Sequence, residues 1–116
     1  MTTQDKERFI RQKADGHIPD NADKIFWSIH GLTKLRLEGL RKNSIEDALK
    51  NAAIIEDYDM EGRPLPGCLV LGFADALPVH VVLALDITLD RIFVITVYKP
   101  LRERWKNGWK ERRKIV

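Results

Sequence analysis

From residue 53 to residue 98 the hydrophobic period of the chain is two, and nothing else in the sequence constrains the fold as strongly. AIIEDYD (53–59), CLVLGFA (68–74), VHVVLALD (79–86) and RIFVITVY (91–98) read as four strands. Their links are short. EGRPLPG is a loop with two prolines and two glycines, DALP turns the chain, and ITLDR is short enough for a hairpin. Parallel neighbours need crossovers of a dozen or more residues, so these links favour an antiparallel meander.

The flanking segments read as helical. Residues 4–14 (QDKERFIRQKA) form a short helix with Gly16 just past its end, and HIPDNADK follows as a loop. Residues 1–23 read as an appendage and 24–116 as one domain. IFWS (25–28) is a short extended piece or the lead into a helix, with Ser28 as N-cap of HGLTKLRLEG. Ser44 opens a second helix, SIEDALKNA, through an S-x-x-D capping box with Asp47. LRERWKNGWKERRKI reads as a terminal helix weakened by Gly108. Its Leu101, Trp105 and Trp109 share a stripe with Arg112 on or near it. The expected fold is α+β: N-terminal helices, a four-stranded antiparallel sheet, then a C-terminal helix.

A chain of 116 residues can bury a core without disulfides or metals, and the single cysteine, Cys68, fits a reducing compartment. The polar N-terminus lacks the apolar stretch of a signal peptide, and no apolar run approaches the roughly 18 residues that span a membrane. A cytoplasmic protein with no membrane partner is expected. The net charge is +3, yet residues 99–116 hold eight Lys or Arg against two Glu, a net of +6. The remaining 98 residues therefore carry −3, and a basic tail on an acidic body suggests an anionic partner such as nucleic acid.

His80 interrupts an otherwise apolar strand, on the face of Val82, Ala84 and Asp86. A packed, hydrogen-bonded histidine is the bland alternative to a chemical role. His30 lies two residues after Ser28, where a helix N-terminus favours a neutral imidazole. His17 has no assigned role. Tyr98 ends the last strand, shares a face with Thr96 and Val94 by alternation, and precedes Lys99. A phenol beside a lysine can orient a phosphate oxygen. Glu56, Asp57 and Asp59 form an acidic patch, but CxxC, HExxH, EF-hand, glycine-loop and GxSxG motifs are absent from the sequence. No metal or other cofactor is expected.

Ser28-x-His30-Gly31, IEDALKNAAIIEDYD, PGCLVLG, PVHVVLALD, VITVYKP and the terminal W-x-x-x-W-x-x-RR together resemble the bacterial family catalogued as domain of unknown function 4258, over roughly residues 27–114. Two positions depart from that pattern: Gly31 stands where alanine is common, and Lys34 where an arginine is usual. The resemblance implies a toxin of a toxin–antitoxin pair with a RelE/barnase-like fold, often beside a zinc-finger antitoxin. It implies an endoribonuclease that needs no metal, with RNA as substrate. His30 and His80 would be the acid/base pair and Tyr98 would orient the phosphate. Lys34, Lys99, Arg112 and Arg113 would hold it. The alternatives are a module binding nucleic acid or protein through the basic C-terminal helix, and a metal-dependent hydrolase using His80 with the acidic strand.

Overall fold

The computed structural model describes residues 1–21, 23–58 and 62–114. Helix α1 (Thr3–Asp15) is capped by the Thr2 hydroxyl, reciprocated by Asp5, and ends at Gly16. Strand β1 (Ile25–Trp27) leads directly into α2 (Ile29–Leu37), whose N-cap is Ser28. Helix α3 (Lys42–Ala48) continues into a 3₁₀ turn at Leu49–Asn51. Then come β2 (Ala53–Tyr58), β3 (Gly67–Ala74), β4 (Leu77–Asp86) and β5 (Arg91–Tyr98). The described chain closes with β6 (Trp105–Lys106) and β7 (Glu111–Arg112).

The fold is α+β, but the expected layout is corrected in two places. Among the described residues the sheet has five strands in the order β1-β5-β4-β3-β2, and it is mixed, because β1 pairs parallel to β5. Three residues at a sheet edge are too short to show alternation, so β1 was indistinguishable from a lead into α2. The second correction is the C-terminus. Among the described residues no C-terminal helix forms; β6 and β7 make a separate two-stranded hairpin. Asn107, Gly108 and Trp109 all have positive φ (51°, 67° and 71°), which a right-handed helix cannot hold. The Asn-Gly pair is a strong hairpin signal. The i,i+4 spacing of Trp105 and Trp109 imitated a helical stripe and outweighed it.

Smaller corrections follow from local geometry. α3 starts at Lys42, so Ser44 is not its N-cap; the Ser44 hydroxyl instead donates to Asp75 at 2.8 Å, alongside Arg41. A bulge near Ile95 shifts the β4–β5 register, pairing Val82 with Thr96 but Leu83 with Val94. Val94 therefore turns to the core, and Tyr98 shares its face with Thr96 and Phe93 instead. Asp59, like Ile115 at the end of the expected terminal helix, lies outside the described residues.

One sheet face packs on the helices. Cys68, Val70, Val79, Val81, Leu83, Leu85, Ile92, Val94 and Val97 meet Ile10 and Ala14 of α1, Leu35 of α2 and Ile45 of α3. Lys6 is also buried there, its ammonium paired with Asp57 and donating to the Gly67 carbonyl. Burial pushes the Cys68 thiol up to about 12, which makes it unreactive. Among the described residues no helix is long and apolar enough to cross a membrane.

Two backbone positions give direct tests. A Cβ on Gly31 would stand 2.6 Å from the Val94 carbonyl and 3.1 Å from the Ser28 hydroxyl. Gly31→Ala is expected to cost about 1–3 kcal/mol in urea unfolding, since backbone must shift to admit it; an unchanged midpoint would contradict this packing. Asp75 and Ala76 form the β3–β4 turn with φ of 51° and 68°. Ala76→Gly should raise stability by about 1 kcal/mol by relieving a left-handed alanine.

Candidate active site

The other sheet face carries the candidate site. Register places Glu56 (β2), Leu69 (β3), Val82 (β4) and Thr96 (β5) in one row across it, and Leu71, His80 and Tyr98 in the next. The β6–β7 hairpin folds over the His80 end of this face. Trp105, buried beneath the hairpin, meets the His80 ring edge-on at 4.2 Å between centroids. Trp105 and Arg112 are cross-strand partners, and the guanidinium lies 4.7 Å above the indole.

His80 has no solvent exposure, and both its nitrogens are engaged. Nε2 lies 2.8 Å from the Trp109 carbonyl, which can only accept, so Nε2 carries the proton. Nδ1 is then the acceptor, and the Tyr98 hydroxyl donates to it at 3.2 Å. Burial lowers the His80 pKa and keeps the imidazole neutral, against a smaller raising effect of the Trp109 bond. Burial also pushes the Tyr98 phenol up, so it is a protonated donor at neutral pH.

A neutral native histidine has a consequence for stability. The unfolded chain binds a proton at His80 below its ordinary value of 6.5, and the folded chain does so only at lower pH. Stability contributed by neutral His80 is thus complete above about pH 6.5 and is lost as pH falls below it. Between pH 6.5 and 5, wild type should lose up to about 1.4 kcal/mol more per pH unit than His80→Gln. Parallel curves from denaturant unfolding would rule out the buried neutral ring.

Glu56 and Arg112 form a bidentate pair at 2.6 and 3.0 Å, and the Tyr58 hydroxyl donates to the same carboxylate at 3.0 Å. The Arg112 hydrogen bonds hold the Glu56 carboxyl below its ordinary range. Burial, then the Glu56 bond, pushes the Tyr58 phenol up to about 12. Arg112 remains mostly exposed, and its pair with Glu56 uses Nε and Nη2. Arg113 staples the hairpin, donating from Nε to the carbonyls of Arg102 and Trp105. Tyr98, Arg104, Trp105, Arg112 and Arg113 line one cavity of about 250 Å³.

The structure thus brings together His80, Tyr98, Arg112 and Arg113 from the expected set. Three others stand apart. His30 is exposed in the first turn of α2, with Lys34 one turn further on. Lys99 is exposed, and its backbone amide donates to Glu38. Among the described residues no side-chain hydrogen bond or ion pair joins His30, Lys34 or Lys99 to the cluster. Tyr58 and Arg104 had no site role in the sequence reading, and Glu56 entered it only as part of an acidic patch that a metal-dependent hydrolase would use. Glu56 and Tyr58 were legible as strand neighbours on one face, but their pairing with residues near 112 was not. His17 is buried against Glu46, which accepts from the Trp27 indole at 2.9 Å.

A model of the family described as "Domain of unknown function (DUF4258)" matches residues 27–99. The chain belongs to this family. The match runs from β1 to the end of β5 and so includes His80 and Tyr98, while the hairpin carrying Trp105 and Arg112 lies beyond it. Searches of curated proteins and of solved structures found no match.

Proposed function

We propose that this protein is a ribonuclease that cleaves RNA at the 2′-hydroxyl by acid/base chemistry without a metal. The observation that carries the reading is the convergence of three arginines and one tyrosine on a single small cavity, with a neutral histidine behind the tyrosine. Arg104, Arg112 and Arg113 would surround a phosphodiester and neutralise the charge that grows on its oxygens during displacement. Tyr98 would take the proton of the attacking 2′-hydroxyl as it passes its own to His80 Nδ1. His80 then acts through Tyr98 rather than on RNA, and its Nε2–H stays on the Trp109 carbonyl. The P–O5′ bond breaks as the new 2′-oxygen bond forms, and the 5′-oxygen takes a proton from solvent, leaving a 2′,3′-cyclic phosphate and a free 5′-hydroxyl; the proton gained by His80 returns to solvent through Tyr98.

Both His80 nitrogens are spent inside the protein, which leaves none to ligate a metal with the acidic strand. Among the described residues no group of three or more His, Cys, Asp or Glu side chains is placed to hold a metal ion. The same burial favours one competing reading, in which the basic hairpin binds RNA without cutting it. In the toxin–antitoxin setting of the proposal, a zinc-finger antitoxin would act by covering the arginine cavity.

Purified protein should degrade RNA in the presence of chelator, and Tyr98→Phe should slow this by about 10²–10⁴-fold while staying folded, at a cost of about 1–3 kcal/mol for the lost partner of buried His80 Nδ1. RNA bound in a salt-dependent manner but left intact would establish the binding reading instead.

A further inference from the structure

The cavity occupies only one end of the open sheet face. At the other end stand Phe26 of β1 and Phe93 of β5, paired in register with ring centroids 5.5 Å apart. Arg91 lies 4.9 and 5.0 Å from the two rings and is held there by Asp86, to which Nε donates at 3.0 Å. Between them and Tyr98 the floor is made by Val82, Ala84 and Thr96, all half-buried. The hairpin covers the His80 end and leaves this stretch open to solvent.

We propose that this stretch is the track for the nucleotides beside the cleaved bond, with a base stacked on the Phe26–Phe93–Arg91 end. The inference rests on the RNA reading of the cavity and extends it to a substrate class, single-stranded RNA. Three features select that occupant. Paired aromatic rings topped by a guanidinium give a stacking surface that accepts any base. The track is continuous with an arginine-lined cavity suited to a phosphate. Phe93 and Tyr98 are five residues apart on one strand, roughly 15 Å at the rise of a β-strand, which a single strand crosses in a few nucleotides. A duplex would keep its bases stacked on one another and leave the rings unused.

The test uses a 2′-O-methyl RNA decamer, which cannot be cleaved by this route, with affinity read by fluorescence anisotropy over a salt series. Phe93→Leu and Phe26→Leu should each weaken binding about tenfold and leave the salt slope unchanged, since no phosphate contact is lost. Leu37→Ala, a change at an exposed position on α2, should bind as wild type does. In wild type, 5-iodouridine in the decamer should crosslink to Phe26 or Phe93, a readout independent of how the variants fold. If wild type binds but both leucine variants bind equally well and the crosslinks map elsewhere, the track is wrong and the RNA reading survives. If wild type binds no RNA, both fall. Equal affinity for duplex and single strand would also overturn the track.

Discussion

Arg112→Ala is expected to reduce RNA cleavage by at least about 100-fold while moving the melting temperature by only a few degrees. The first effect follows from position. Arg112 is the guanidinium that lines the cavity, stacks on Trp105 and is held in place by a bidentate carboxylate. Losing one preorganised charge at a developing oxyanion typically costs a factor of 10² to 10³ in rate. The second effect follows from exposure. The Arg112 side chain is 61% accessible, and an exposed ion pair contributes about 1 kcal/mol or less. Arg112→Lys should recover little activity, because an ammonium cannot hold Glu56 bidentately and still face a phosphate. Single-turnover cleavage alongside thermal melts separates the two effects. A variant that unfolds, or one that cleaves normally, would contradict this assignment.

His80→Ala is expected to behave in the opposite way, lowering stability by about 3 kcal/mol, which corresponds to more than about 10 °C in a domain of this size. The ring is fully buried, fills the space between Tyr98 and Trp105, and is the hydrogen-bond partner of the Trp109 carbonyl. Alanine would leave a cavity under the hairpin and a buried carbonyl without its donor. The hairpin should loosen before the sheet does, seen as early exchange of backbone amides in residues 105–112. Loss of activity in this variant therefore would not by itself identify His80 as a chemical group. His80→Gln, which keeps a donor for the carbonyl, is the better probe, and it should fold while cleaving slowly. A His80→Ala variant as stable as wild type would mean that the hairpin is not anchored through this ring.

The contrast between the two residues shows where sequence reading succeeded and where it stopped. Strands β2 to β5 were legible because apolar, β-branched-rich runs of six to ten residues are bounded by short turns. Ser28 and Gly16 marked helix ends because their chemistry is local. His80 and Tyr98 stood out as polar groups on a strongly apolar strand pair, and the register makes them direct neighbours. The terminal hairpin was lost to a competing period. Two tryptophans four apart match a helical face, whereas the decisive signal was the two residues Asn107 and Gly108. The bulge at Ile95 was invisible for a different reason: one inserted residue reverses the face of everything beyond it without altering composition. Glu56 could not be tied to Arg112 because their contact spans 56 residues of chain and depends on how the hairpin folds back.

In the proposed reaction Tyr98, backed by neutral His80, and the arginines of one cavity act on the 2′-hydroxyl of RNA. The measurement that tests it most directly uses a DNA oligonucleotide containing a single ribonucleotide, incubated with wild type and with Tyr98→Phe in chelator. One cut is expected with wild type, on the 3′ side of the ribonucleotide, leaving a 2′,3′-cyclic phosphate. No cut is expected in the all-DNA strand, and little or none with Tyr98→Phe. An uncut oligonucleotide with wild type, cleavage at deoxynucleotides, or an equal rate with Tyr98→Phe would contradict it.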